Sequence, residues 1–267
     1  MKRVILAVLI VSLVPAIASA QQGVKKRRPL PYEYGRVVMG SPFLSPTLPD
    51  VRFDHWFHRT MYTCRACHVD IGFAMKRNGT GIKPEDNMKG YYCGTCHNGK
   101  TAFGDRKVFV SCMKSYTADE RKNVCLRCHS VGENVSPLHD FSKVTANFPR
   151  ERFGNGIDWE KAEDQKLIRP VDFIEGVSFR RKQMEIPKDF ELSTKVGGMP
   201  EIIFSHKKHT VWNGCEGCHP EIFAGVKKGT TKYSMIENFE GKFCGQCHLN
   251  AAFPMTDCQR CHTKPVR

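Results

Sequence analysis

Beyond its first twenty residues, this sequence of 267 residues has no uninterrupted apolar run that approaches eighteen residues. A membrane-spanning helix needs about 20 such residues, so we expect the rest of the chain to be soluble. Acidic residues are also few, 27 against 41 lysines and arginines, which leaves a net charge of +14. Such charge is typical of proteins that bind nucleic acid or anionic membranes. Here acidic and basic residues intermix behind an export signal, so we expect no nucleic-acid partner.

The N-terminus has the three parts of a secretory signal peptide. It begins with the positive segment MKR, continues with an apolar run of eleven residues (VILAVLIVSLV), and reaches a small-residue cleavage site at Ala18 to Ala20. No cysteine lies near that site, which argues against a lipid-anchored mature terminus. The alternative is an uncleaved anchor, although the run is short for a membrane span. Cleavage after residue 20 predicts a location in the periplasm, or one that is extracellular or outer-membrane-associated.

Twelve of the thirteen cysteines belong to six copies of one pattern, Cys-x-x-Cys-His. The copies are CRACH (64–68), CGTCH (93–97), CLRCH (125–129), CEGCH (215–219), CGQCH (244–248) and CQRCH (258–262). A zinc ribbon uses paired Cys-x-x-Cys units, but it needs no histidine after each of them. A thioredoxin-like redox motif occurs once, in a βαβ setting. Zinc and disulfides therefore remain as alternatives that explain the pattern less well than haem attachment does.

Haem attachment accounts for every position of the pattern. The two thiols add to the vinyl groups of one haem, and the adjacent histidine binds its iron as the proximal ligand. The sequence thus predicts six covalently attached haem c groups. Their thioether cysteines are Cys64, Cys67, Cys93, Cys96, Cys125, Cys128, Cys215, Cys218, Cys244, Cys247, Cys258 and Cys261. Their proximal histidines are His68, His97, His129, His219, His248 and His262.

The two halves of the chain align at a constant offset of 151 residues. FDHWFHRTMYTCRACH (53–68) matches FSHKKHTVWNGCEGCH (204–219), and 24 residues then separate the first motif from the second in each half. The second and third motifs are separated by 27 residues in the first half and by nine residues in the second half. The predicted organisation is a signal peptide (1–20), an extended N-terminal arm (21–52), module 1 (53–129, with an insertion at 104–124), a linker (130–203) and module 2 (204–267).

Both modules resemble the triheme cytochrome c7 family. The resemblance rests on Phe-x-His-x-x-His before the first motif, CG-x-CH at the second, and a third motif that follows an Ala-Phe pair, here 102–103 and 252–253. It implies a haem-cored fold, mostly irregular with short α-helices. Modules this small bury too little side-chain surface to be stable without their haems. In the linker, IDWEKAEDQKLI (157–168) is compatible with one amphipathic helix, and we interpret FRRKQ (179–183) as a solvated basic face.

Five histidines remain after the six proximal ones: His55, His58, His139, His206 and His209. The pairs His55/His58 and His206/His209 lie nine and six residues before the first motif cysteine of their modules, a spacing that coincidence explains poorly. The resemblance implies that the first histidine of each pair binds the iron of its module's first haem. The second histidine of the pair would bind the iron of the second haem.

Six distal positions and five spare histidines leave at least one iron of the monomer without a second histidine. We assign His139 to the third haem of module 1, with a surface histidine as the alternative. We assign Met235 to the third haem of module 2, with a core methionine as the alternative. The odd cysteine, Cys112, is predicted to be a free thiol or a contact with another subunit. A widely spaced haem attachment through Cys112 and Cys128 is a less favoured alternative, because CLRCH is intact.

Haems with two axial ligands have no open site for a substrate but exchange electrons with one another. We therefore expect an exported six-haem electron carrier and not an enzyme. Its redox partners would be a membrane quinol-oxidising complex and a terminal reductase or outer-membrane conduit. One alternative is a structural subunit of an extracellular cytochrome filament or membrane redox complex, which leaves self-assembly open. A multihaem reductase is less favoured, because no CxxCK variant is present.

Overall fold

A computed structural model describes residues 29–40, 48–182, 184–194, 197–225 and 227–264. The predicted signal peptide lies outside these residues. The chain divides into two units, residues 1–30 and 31–267, and all the helices and strands described belong to the second. Within the described ranges no helix is both long enough and apolar enough to cross a membrane.

Short α-helices separated by irregular segments make up most of the described chain, which confirms the predicted fold class. The longest α-helix has eight residues. The α-helices are α1 (His55–His58), α2 (Pro84–Met88), α3 (Ala118–Asn123), α4 (Phe141–Val144), α5 (Trp159–Asp164), α6 (His206–Asn213), α7 (Met235–Phe239), α8 (Gly245–His248) and α9 (Cys258–Cys261). The strands are β1 (Arg36–Met39), β2 (Val51–Asp54), β3 (Ala102–Phe103), β4 (Arg106–Lys107), β5 (Phe190–Leu192), β6 (Glu201–Phe204) and β7 (His262–Lys264). Tyr92–Thr95 and Cys125–Arg127 form 3-10 turns, and Ala66–Ile71 forms a π-helical turn.

Local capping signals determine where several of these helices begin. At α7, the Ser234 hydroxyl accepts a hydrogen bond from the backbone N–H of Glu237 (3.3 Å), and the Glu237 carboxylate accepts one from the N–H of Ser234 (2.9 Å). Thr117 and Glu120 form the same reciprocal pair at α3. This capping box satisfies two N–H groups that a helix start leaves unpaired. The first residue of α7 is Met235, so a sequence-local signal places this predicted ligand.

The internal duplication is visible in the strand pairing. β1 pairs antiparallel with β2, and Val37 lies opposite Phe53. β5 pairs antiparallel with β6, and Phe190 lies opposite Phe204, which is the counterpart of Phe53. The partner strands β1 and β5 come from the arm and the linker, upstream of the predicted starts of the modules at 53 and 204.

β2 and β6 also pair with the last motif of each module. Val51 forms an isolated antiparallel bridge with His129 in module 1. Ile202, 151 residues later, pairs with His262 in module 2. The first strand and the third motif of a module are therefore in contact, although many residues separate them in the chain.

The insertion in module 1 changes one detail of the alignment. β3 and β4 form a hairpin in which Phe103 lies opposite Arg106. The ring of Phe109, beyond this hairpin, lies 4.5 Å from that of His97, and the ring of Phe253 lies 4.3 Å from that of His248. Phe109, and not Phe103, is therefore the structural counterpart of Phe253, because the hairpin is inserted ahead of it.

The linker supplies most of the buried side-chain core. The cluster consists of Trp56, Phe141, Ile157, Trp159, Ala162 and Ile168, with Phe57, Phe148 and Trp212 packed against it. Trp56 comes from module 1 and Trp212 from module 2, so the linker packs between the modules. The helix compatible with 157–168 forms as the shorter α5, which buries Trp159 and Ala162.

A second linker segment joins the modules through an ion-pair bridge. Arg181 Nη2 lies 2.7 Å from Asp70 Oδ1 in module 1, and its Nε lies 2.6 Å from Glu216 Oε1 in module 2. The hydroxyl of Ser178 donates to Asp70 Oδ2 (2.6 Å). The interpretation of 179–183 as a solvated basic face is therefore wrong at Arg181. Both acidic partners are distant in sequence, so the local pattern contains no sign of them.

Candidate haem centres

One connected cavity of about 3410 Å³ runs through both modules. A pocket for a single small molecule is typically about 300–1,000 Å³, so this cavity has room for several large groups. Most of the predicted haem-binding residues line it. The exceptions are Cys125, Cys215, His206 and His219, which are not among its lining residues.

The backbone brings the motif cysteines and histidine onto one side of a helical turn. In four motifs, the N–H of the histidine donates to the carbonyl of the first cysteine, four residues earlier. These bonds are His97 to Cys93 (2.8 Å), His129 to Cys125 (2.8 Å), His219 to Cys215 (3.0 Å) and His248 to Cys244 (3.0 Å). Residues three and four apart lie on the same face of a helix, so this turn presents two thiols and an imidazole together. That is the arrangement which the attachment of one haem requires.

Glycine follows the first cysteine of the second motif in each module for a steric reason. A Cβ at Gly94 would overlap the backbone carbonyl of Asn87, and one at Gly245 would overlap that of Asn238. Asn87 and Asn238 occupy equivalent positions in α2 and α7. The close packing of these helices against the second motif therefore explains the glycine of the CG-x-CH signature.

Backbone carbonyls orient almost all of the proximal histidines. The Nδ1 atoms lie within hydrogen-bond distance of these oxygens: His68 to Phe73 (2.8 Å), His129 to Pro49 (2.8 Å), His219 to Phe223 (2.6 Å), His248 to Phe253 (2.9 Å) and His262 to Pro200 (2.7 Å). Nδ1 of His97 is near the carbonyl of Phe109, but it does not reach hydrogen-bond geometry. A carbonyl accepts only from a protonated Nδ1, so Nε2 keeps its lone pair for a metal. Pro49 and Pro200 are also 151 residues apart, and the sequence comparison missed them.

Two predicted distal histidines of module 1 face the predicted proximal partners. The rings of His55 and His68 are nearly parallel, at 9°, with centroids 6.4 Å apart. The rings of His58 and His97 have centroids 6.3 Å apart. Each separation leaves room for one metal between two imidazoles, at about 2 Å per bond.

Module 2 repeats one of these pairs. The ring centroids of His209 and His248 are 6.2 Å apart, which matches the equivalent pair of module 1. His206 instead contacts the rings of Phe190 (5.3 Å) and Phe204 (5.1 Å). In the described part of the chain it makes no ring contact with His219, so the structure brings three of the four predicted pairs together.

Burial keeps the paired histidines neutral. It lowers the pKa of His55, His58 and His248 to about 4, although the backbone acceptors oppose the shift. A neutral imidazole is the form that binds a metal. The donor set and its protonation state therefore fit haem iron held between two histidines.

His139 contacts an aromatic ring of module 1. The ring of His139 stacks on Phe57, with centroids 3.5 Å apart and an angle of 11°. Within the described ranges it makes no ring contact with His129. The assignment of His139 to the third haem of module 1 therefore remains a prediction.

Two equivalent asparagines each approach a sulfur atom. Asn238 Nδ2 lies 3.9 Å from Sδ of Met235, and Asn87 Nδ2 lies 3.7 Å from Sγ of Cys112. Both sulfur-bearing side chains line the cavity. Cys112 in module 1 thus has the same asparagine neighbour that Met235 has in module 2, which the sequence alignment did not reveal.

The cysteines carry no alternative metal cluster or disulfide. None of the thirteen is paired in a disulfide. Among the described residues no three histidine, cysteine, aspartate or glutamate side chains converge as ligands for a bare metal ion. Burial raises the pKa of Cys247 to about 12, and the nearby thiols of Cys64 and Cys218 contribute to the same shift. Cys64 belongs to module 1 and Cys247 to module 2, so motifs of the two modules are neighbours in the cavity.

Paired cysteines, carbonyl-oriented histidines and a shared cavity define a multihaem c-type cytochrome. The family described as "Cytochrome c7 and related cytochrome c" matches residues 51–130 and 202–263, and the chain belongs to this family. A structure described as a "c7-type three-heme cytochrome domain" is 35% identical and covers 30% of this chain and 99% of that chain, with a TM-score of 0.27. The C-terminal hexaheme fragment of GSU1996 is 24% identical and covers 89% of this chain and 99% of that chain, with a TM-score of 0.26. No curated protein matches.

Proposed function

We propose that the protein is a six-haem electron carrier. The observation that carries the proposal is the set of six Cys-x-x-Cys-His motifs, most of whose side chains line one cavity. When bound, each haem supplies an iron that gains and loses one electron. The polypeptide holds the attachment thiols close together, orients the imidazoles and keeps them neutral.

A second side chain would hold each haem iron besides the motif histidine. The proposed side chains are His55 and His58 for the first two motifs, and His206 and His209 for the fourth and fifth. The facing pairs at 6.2–6.4 Å support three of these four assignments. His139 and Met235 are proposed for the third and sixth motifs. Irons with two protein ligands have no open position for a substrate, so we propose a carrier and not an enzyme.

The proposed setting is a relay in the periplasm. The leader pattern supports export, and the partners would be a membrane quinol-oxidising complex and a terminal reductase or outer-membrane conduit. A structural role in a cytochrome filament or a membrane complex is the second candidate. It is favoured by large exposed apolar side chains, of which Phe179 is 80% exposed, Ile236 71% and Met184 70%. A molar mass in solution that corresponds to a monomer of the holoprotein would support the carrier over the filament.

Intact mass spectrometry of the exported holoprotein tests the haem count. The expected mass corresponds to the chain without residues 1–20 plus six haems. A mass with five or fewer haems would refute the count, and a retained leader would refute the cleavage site. Reductive titration should then consume six electrons per chain, and a persistent high-spin ferric signal would indicate an open iron and favour an enzyme.

A further inference from the structure

Arg59, directly after His58, carries a positive charge into the contact between the two modules. Its Nη1 donates to the backbone carbonyl of Ala251 in module 2 (2.8 Å). Its guanidinium carbon lies 4.5 Å from the ring centroid of Trp159 and 5.3 Å from that of Trp212. The cation is therefore held in place from the linker and from module 2.

This cation has no carboxylate partner among the described residues. Glu163 is near enough to act on it electrostatically, but its carboxylate accepts the indole N–H of Trp212 (2.6 Å). Four other arginines that connect distant parts of the chain are paired at 2.6–2.7 Å: Arg36 with Asp54, Arg65 with Asp172, Arg181 with Asp70 and Arg260 with Glu151. Arg59 also lines the cavity, so among the described residues no ion pair offsets its positive charge there.

The haem-binding motifs of the two modules meet around this cation. Cys64, the first cysteine of module 1, is close enough to interact electrostatically with Arg59 and with Cys218 and Cys247 of module 2. All four side chains line the same cavity. Contact between the modules continues at Gly214, where an added Cβ would lie 2.6 Å from Cδ of the Arg65 side chain.

We propose that the charge of Arg59 raises the reduction potential of a haem attached at this junction. The inference rests on the proposed function, specifically on haem attachment at the motifs of both modules. Cys64 would bond the vinyl edge of its haem, so that edge would lie near the cation. A fixed cation favours the reduced state, because reduction removes one positive charge at the iron. Electrons that pass between the modules would therefore be held preferentially at the junction.

Redox titration of the holoprotein tests the role of the charge. The variants are Arg59→Gln, which removes the charge, and Arg59→Lys, which keeps it. The control is Arg180→Gln. The guanidinium carbon of Arg180 lies 5.4 Å from the ring centroid of Phe173, so this arginine also contacts an aromatic ring, but its side chain is exposed. Arg59→Gln should retain six haems and lower the reduction equilibrium constant of one haem about tenfold, which is about 59 mV. Arg59→Lys and Arg180→Gln should keep that potential within a factor of about two in the equilibrium constant.

Unchanged potentials in a six-haem Arg59→Gln protein would overturn the inference and leave the proposed function intact. An equal fall in Arg59→Lys would also overturn it, since the charge would not be the cause. If Arg59→Gln does not fold, Arg59→Met, which has an unbranched and uncharged side chain, provides a second variant. It should lower the same potential by about the same amount, and an unchanged potential in a six-haem Arg59→Met protein would overturn the inference. Absence of covalent haem from the unmodified protein would instead refute the proposed function.

Discussion

Replacement of Arg181 by glutamine is expected to destabilise the holoprotein by about 3–4 kcal/mol. Arg181 bridges Asp70, which follows the first motif of module 1, and Glu216, which lies inside the first motif of module 2. The side chain of Asp70 is 0% exposed, so the substitution leaves a buried carboxylate without its cation. The same substitution also removes the ion-pair link between the modules.

The magnitude follows from the two halves of the bridge. Removal of one partner from a buried ion pair costs about 3–5 kcal/mol, and the lower end applies here because Ser178 still donates to Asp70. Glu216 is 45% exposed, so its share is only about 0–1 kcal/mol. At roughly 2–4 °C per kcal/mol for a domain of this size, the melting temperature should fall by about 6–16 °C.

Urea unfolding followed by far-ultraviolet circular dichroism measures the effect at a fixed oxidation state. Arg180→Gln is the matched control, because this neighbour is exposed and should change the free energy of unfolding by less than about 0.5 kcal/mol. The double variant Asp70→Asn/Arg181→Gln should recover part of the loss, since no unpaired charge remains. A loss in Arg181→Gln no larger than in the control would refute the buried-pair reasoning.

Gly245→Ala places a Cβ on the carbonyl of Asn238, so we expect about 1–3 kcal/mol of overpacking cost, seen as a lower urea midpoint or a missing fifth haem in the mass spectrum. Full stability with six haems would contradict the packing argument. Met235→Ala should abolish the near-infrared methionine-to-iron charge-transfer band of the oxidised protein, and persistence of the band would exclude Met235 as the ligand. Burial lowers the pKa of His55 and His58 to about 4, whereas an unfolded histidine titrates near about 6.5. The unfolded chain therefore binds more protons between these values, and stability should fall as the pH drops from about 6.5 to about 4. A flat profile of unfolding free energy across that window would show that these histidines are not buried in the neutral form.

Several site residues were accessible to sequence reasoning because their chemistry is local. The spacing of Cys93, Cys96 and His97 is sufficient to present two thiols and an imidazole on one turn. The offset of 151 residues identified His55 and His58 with their counterparts, and the ring pairs confirm that these two face motif histidines. The same offset relates Pro49 to Pro200, so a longer alignment would have found the carbonyls that orient the last histidine of each module.

Other features depend on contacts between residues far apart in the chain, and no local pattern encodes them. The sequence alone predicted the haem attachment and determined the duplication and the short-helix fold, because each follows from spacing over a few residues or from repetition. Only the tertiary structure decided that Trp159 of the linker packs between the modules, that Phe109 replaces Phe103 beside His97, and that Arg59 lies where the motifs meet. Side-chain packing and the pairing of buried charges depend on which surfaces the folded chain brings together, and that is set by the whole chain at once.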